Sequence, residues 1–296
     1  MARLIGLIGN RADLAARVLA SESEALQVSA HHSGKGAPNG PNSVSLGWGI
    51  GFYQGGEVLM RRRPIDDHAT VDVAKVAGDV RADVLLGHVR NATVGSLRTE
   101  NTHPFRYRQW LFAQTGTLPS FEAIRDRLSG SVPEFLRSSI RGESDAEILF
   151  YVFLSFLHDA GRLNDGISDP SHVRDALRSS VAVVDGMAAE VGGASSQINV
   201  MVSNGENIFS LHRGAQMGYR LFSGKSDAEM LIGDDLNLRR KTPELDQMHF
   251  VLLASDFDDE WSLAASSPTG QSRWKVVPER AIVTLERGRD PKIETI

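Results

Sequence analysis

The run Asp83-Val84-Leu85-Leu86-Gly87-His88-Val89-Arg90 constrains this chain most, because it is almost continuously apolar after its first residue. Eight residues are too few for a typical globular helix. An apolar run without polar alternation fits a strand buried within the fold. Such a strand delivers Arg90, a charged side chain, to the end of a buried element. Residues 3–9 carry a second apolar run, closed by Gly9-Asn10, and read as another buried strand.

Around these two strands the periodicity changes. Residues 12–28 place Leu14, Val18, Leu19 and Leu26 at helical spacing behind Asp13, a plausible N-cap. Residues 29–45 are rich in Ser, Gly, Asn and Pro and read as a loop. Strands follow at 46–53 and 57–63, joined through Gly55-Gly56, a hairpin signal. A short strand at Trp110–Ala113 ends at Thr115-Gly116. Residues 120–129 and 145–159 have helical spacing, and Asp145 lies where a carboxylate suits a helix N-terminus. A further helix is expected at 171–179, with mostly strands from Val181 to Ile296. The sequence contains no linker signal, so one layered domain is expected over 1–296.

Composition narrows the chemistry. The 296 residues carry a net charge of −5 and no cysteine, which excludes disulfides, thiolate zinc sites and a cysteine nucleophile in this chain. Arg61-Arg62-Arg63 is the densest basic run and reads as a solvated strand edge, not a nucleic-acid site. No stretch approaches the roughly 20 apolar residues of a membrane span. A cytoplasmic protein without nucleic-acid or membrane partners is expected. His31-His32 lack partners at metal-ligand spacing, and Asp234-Asp235 and Asp258-Asp259 read as solvated turns, so neither a metal nor a cofactor is expected. Gly47-Trp48-Gly49-Ile50-Gly51 lacks the strand–turn–helix setting of a dinucleotide fingerprint.

Several separated segments together carry a resemblance. Met1-Ala2-Arg3-Leu4-Ile5-Gly6 is similar to a Met-Cys-Arg-Leu-Leu-Gly opening, and Gly47-Trp48-Gly49 to a Gly-Trp-Gly strand. Gly87-His88-Val89-Arg90-Asn91-Ala92-Thr93 and Glu100-Asn101-Thr102-His103-Pro104-Phe105 follow in order. Phe112-Ala113-Gln114-Thr115-Gly116 stands where the pattern has Phe-Ala-His-Asn-Gly, and Ser144-Asp145-Ala146-Glu147 fits a Ser/Thr-Asp-x-Glu element. In order and spacing these resemble the class II glutamine amidotransferases, in particular their smaller stand-alone branch. The resemblance is clear over 1–160 and weaker over 161–296. It implies an α+β fold: a layered α-β-β-α N-terminal-nucleophile hydrolase sandwich with mostly antiparallel sheets.

The same resemblance assigns roles. In such enzymes an N-terminal cysteine, freed by removal of the initiator Met, attacks the glutamine amide with its own amine as base. Here Ala2 stands at that position, and a methyl group cannot attack. Thr115 and Gly116 stand at the oxyanion-hole positions, with Thr115 in place of an Asn. No catalytic position is therefore intact in its reactive chemistry. The recognition half is retained: Arg90 for the substrate's α-carboxylate, Asp145 for its α-ammonium, and Thr93 along the pocket. His103 is expected to order its loop. Three readings stay open. The chain is a pseudoenzyme binding glutamine, a related amino acid or a partner protein; or an active amidotransferase carrying a nucleophile-to-Ala change; or a ligand-free scaffold.

Overall fold

The computed structural model describes residues 2–29, 46–66, 70–91, 96–165, 169–236, 238, 247–257 and 273–296. The loop expected at 29–45 therefore lies almost wholly outside the described residues, as do His31-His32, Thr93 and Asp258-Asp259. The strands in chain order are β1 Arg3–Gly9, β2 Val28–Ser29, β3 Leu46–Gln54, β4 Glu57–Asp66, β5 Thr70–Val71, β6 Val84–Asn91, β7 Phe105–Tyr107 and β8 Trp110–Thr115. They continue as β9 Asn199–Ser203, β10 Asn207–His212, β11 Met217–Ser223, β12 His249–Ser255, β13 Trp274–Val276, β14 Ala281–Glu286 and β15 Lys292–Thr295. The helices are α1 Ala15–Ser21, α2 Ser23–Leu26, α3 Val73–Val76, α4 Phe121–Gly130, α5 Glu134–Arg137, α6 Asp145–Asp159, α7 Pro170–Glu190 and α8 Gly224–Ile232.

Among the described residues, one sheet has seven strands in the order β13-β11-β12-β1-β6-β3-β4. A second has six in the order β15-β14-β10-β9-β8-β7, and β2 and β5 form a small pair. The pairings are antiparallel throughout. The apolar runs explain the layering residue by residue. On β1, Ile5 and Leu7 pack with Leu14, Val18 and Leu19 of the helical layer, whereas Leu4 and Ile8 pack with Leu111, Met201 and Ile208 of the second sheet. On β6, Leu85 and Val89 face the helices and Val84 and Leu86 face the other sheet. Both faces are apolar because both are covered; burying each of these side chains stabilises the fold by roughly 1.5–3 kcal/mol. The second sheet does the same, with Phe112, Val202 and Phe209 packing on α4, α6 and α7. The result is the α-β-β-α sandwich.

Three local expectations are corrected. Asp13 is not a helix N-cap: it lies inside a 3-10 turn, Ala12–Leu14, where its carboxylate accepts from Arg11 Nε at 3.0 Å and Nη2 at 2.8 Å. The helix expected over 12–28 is likewise broken into that turn, α1, α2 and the start of β2. The helix expected at 171–179 continues to Glu190. Val181-Ala182-Val183-Val184 is rich in β-branched valine and resembles a strand, but Val173, Leu177, Val181 and Val184 form one buried helical stripe against α6. Packing of that stripe overrides local propensity. Asp169 begins α7 by accepting from Ser171 N–H at 2.8 Å, with Pro170 at the first helical position. α8 is a second helix within the region expected to be mostly strands.

Candidate functional site

Strand direction brings the site together. β1 lies between β6 and β12 and runs antiparallel to both, so its start meets their ends: Arg3 pairs with Val89, and Ile5 with Ala254. Ala2, Arg90 and Asp256 are thereby collected at one edge of the first sheet. In the second sheet β8 ends at Thr115, paired with Asn199 of β9. Between these ends is a cavity of about 210 Å³ lined by Ala2, Arg90, Thr115, Gly116, Asp145 and Asp256, together with His88, Asn101, His103 and Gln114. Arg3 clamps the edge: its guanidinium donates to the carbonyls of Ala25 and Asp256 and lies 5.0 Å from the Phe257 ring centre.

Asp145 opens α6, with Ser144 as N-cap accepting from Glu147 N–H at 3.2 Å. One Asp145 oxygen accepts from Leu118 N–H at 2.7 Å. Burial nevertheless raises its pKa above the usual carboxylate value, against backbone hydrogen bonds and the Arg90 charge. Arg90 is buried at the end of β6 and donates to the Ser96 carbonyl at 3.3 Å; burial lowers its pKa, with Asp145 opposing. Asn101 fixes the wall between them, donating to Ser96 O at 3.0 Å and accepting from Glu143 N–H at 2.8 Å.

The far wall is polar and buried. The His88 and His103 rings are in contact, with centres 4.2 Å apart and planes tilted 48° to each other. Burial, helped by the Arg90 charge, lowers the His88 pKa to about 3 and holds His103 well below its ordinary value, so both are neutral near pH 7. His88 Nδ1, both His103 ring nitrogens and Gln114 Oε1 have no hydrogen-bond partner among the described residues. Buried polar atoms without partners are costly, and these belong to side chains that line one cavity. Gly49 makes the arrangement possible, because a Cβ there would overlap the His103 carbonyl.

Thr115 donates its hydroxyl to Asp256 Oδ2 at 2.7 Å. Ser255 donates to the same carboxylate, and burial raises the Asp256 pKa. Asp256 has φ of +61°, a left-handed conformation that Asp tolerates better than most residues, and its N–H donates to Gln216 O at 2.8 Å. Gly116 follows with φ of +83°, and a Cβ there would overlap the Gln197 carbonyl. Gly116→Ala is therefore expected to destabilise the fold by about 1–3 kcal/mol, read as a lower thermal midpoint; an unchanged midpoint would contradict the strain argument.

Five of the sequence-selected residues, Ala2, Arg90, Thr115, Gly116 and Asp145, line this cavity, and Thr93 falls outside the described residues. His103, expected to order its loop, also lines it. Sequence reasoning missed Asp256, Gln114 as an orphaned acceptor, and the His88–His103 contact. Asp235 is not simply solvated: it accepts from Arg17 at 2.7 Å. Arg61 pairs with Asp79 on the exposed edge strand β4, whereas Arg62 turns inward to the Thr102 carbonyl at 3.2 Å. Among the described residues no helix is long and apolar enough to cross a membrane, and no group of three or more His, Cys, Asp or Glu is placed to hold a metal ion.

Comparison with known proteins agrees with the layered architecture. A solved glutamine aminotransferase class-II domain protein from Silicibacter pomeroyi superposes with a TM-score of 0.58 at 16% identity, covering 99% of each chain. A predicted glutamine amidotransferase from Pseudomonas aeruginosa gives 0.54 at 18% identity, covering 97% of this chain and 98% of that one. In sequence, a probable glutamine amidotransferase of Saccharomyces cerevisiae, DUG3, is 22% identical over 222 residues, which is 73% of this chain and 60% of the yeast protein. The chain thus spans about 60% of that relative's length. The family model described as Glutamine amidotransferases class-II matches residues 22–288, nearly the whole sequence, and the chain belongs to that family.

Proposed function

We propose that this chain is a pseudoenzyme of the family, binding glutamine or a related α-amino acid in the cavity without hydrolysing it. The observation that carries this reading is the company Ala2 keeps. It lines the same cavity as Arg90 and Asp145, so a side chain that carries no nucleophile shares a site with groups suited to an amino acid's head. Arg90 would take the α-carboxylate and Asp145 the α-ammonium, each through charge-assisted hydrogen bonds. Thr93 keeps its expected place along the pocket as part of the proposal, as does the cytoplasmic location.

An active enzyme altered only at Ala2 is the weaker reading. Thr115 is committed to Asp256 by a 2.7 Å hydrogen bond, so the second departure from the family pattern is built into the wall. A change confined to the nucleophile leaves that pairing unexplained. Purified protein is expected to release no ammonia from glutamine above background. Turnover that follows the protein through purification and vanishes in Arg90→Ala would overturn the pseudoenzyme reading.

A further inference from the structure

A second cavity, about 360 Å³, lies on the other side of the segment that walls the first. Asn101 and His103 face the first cavity, whereas Glu100 and Phe105 line the second, with Arg62, Arg106, Arg141, Ser139, Glu147 and Tyr151. We infer that Arg62, Arg106 and Arg141 form a binding site for a phosphate group, free or carried as a monoester on a small molecule.

The three arginines come from separate elements: β4, β7 and the approach to α6. Two are aimed by backbone carbonyls and not by carboxylates. Arg62 donates to Thr102 O at 3.2 Å; Arg106 donates from Nε to Arg108 O at 3.0 Å and from Nη1 to Val58 O at 2.9 Å. Carbonyl partners orient a guanidinium but leave its charge uncompensated. None of the three is within ion-pair distance of a carboxylate among the described residues.

Glu100 and Glu147 act on Arg62 through space and offset part of the positive charge, which leaves three guanidiniums against two carboxylates in the lining. Glu147 spends its two oxygens on the N–H groups of Arg141, at 3.0 Å, and Gly142, at 2.6 Å. Glu100 is exposed and acts on Arg62 only through space. Arg62 is half-buried, and a guanidinium held there without a directly paired anion carries a cost that a bound anion relieves; Arg106 and Arg141 are exposed and add positive charge to the lining. Three guanidiniums brought to one cavity by separate elements fit a tetrahedral anion better than a planar carboxylate, which one guanidinium fork can satisfy. The volume falls within the range of about 300–1,000 Å³ usual for small-molecule sites, so it exceeds what a bare phosphate needs. Phe105 and Tyr151 supply aromatic surface for an organic portion, and the Tyr151 hydroxyl is already donated to Ser139 O at 3.0 Å.

Titration calorimetry on the whole chain, with inorganic phosphate, glucose 6-phosphate and glucose, tests the assignment. Both phosphate compounds are expected to bind and glucose is not; binding should weaken with added salt. Tighter binding of the ester than of phosphate would identify a carried phosphate group, and the reverse order the free anion. Arg106→Gln and Arg141→Gln should each weaken binding about tenfold. Arg141 is exposed, so its variant keeps the test open if substitution of Arg62 or Arg106 disturbs folding. Absence of binding to folded protein at about 10 mM phosphate or ester overturns the site. So does binding that Arg106→Gln and Arg141→Gln leave unchanged.

Discussion

Ala2→Cys alone is expected to release little ammonia from glutamine, and Ala2→Cys with Thr115→Asn is expected to be about 10²–10³ faster than the single variant. The factor is that attributed to one oxyanion-hole donor in a water-excluded site. A thiol at position 2, with a free amine beside it as base, supplies the attacking group. It does not supply the charge stabilisation that follows attack. On the proposed roles Gly116 N–H would be one donor, but the Thr115 hydroxyl is already donated to Asp256 at 2.7 Å. An asparagine amide has two N–H groups. One can remain on the Asp256 carboxylate and fix the side chain, leaving the other for the oxyanion. Ammonia release by the two variants under equal conditions decides the point. If the single variant matches the double, Thr115 is not the limiting loss.

What could be read from the sequence depended on whether the signal was local. β1 and β6 were legible because a strand covered on both faces is mostly apolar without polar alternation, as Leu4–Gly9 and Val84–Gly87 are. Arg90 at the end of such a run and Asp145 at a helix start were legible as positions, but their assignment to the site came from the ordered set of motifs that carries the family resemblance. Asp256 was not legible. It reaches the cavity only because β12 pairs with β1 across almost the whole chain, a register that no local pattern encodes. Arg62 was misjudged for a related reason. A run of three arginines on an edge strand reads as solvent-facing, but alternation along β4 sends the middle side chain the other way, towards Thr102. The extent of α7 was missed because Val181, Val183 and Val184 favour a strand locally, and only the buried stripe against α6 settles the matter.

Glutamine is expected to bind, and Arg90→Ala or Asp145→Ala to weaken that binding about tenfold to a hundredfold each. Hydrogen bonds to charged groups contribute roughly 1.5–3 kcal/mol, which converts to that range. Both ends of the ligand should matter, so the decarboxylated analogue should bind worse than glutamine. Glutamate tests the distal end. His88 and His103 are held neutral by burial and cannot offer a second carboxylate a positive partner without first taking up protons. Glutamate should therefore bind more weakly than glutamine near pH 7. Acidity gives an independent check through Asp145, whose pKa is raised by burial. The ammonium is held only by the ionised carboxylate, so affinity is full above the raised pKa and falls as pH drops through it. That loss should begin at a higher pH than an ordinary Asp would show, and it should be absent in Asp145→Asn, whose affinity is already low. Calorimetric titrations across this pH range separate the outcomes. If neither glutamine, glutamate nor the analogue binds at about millimolar concentration while the protein is folded, the head-group residues serve the fold alone, and the ligand-free scaffold replaces the binding module.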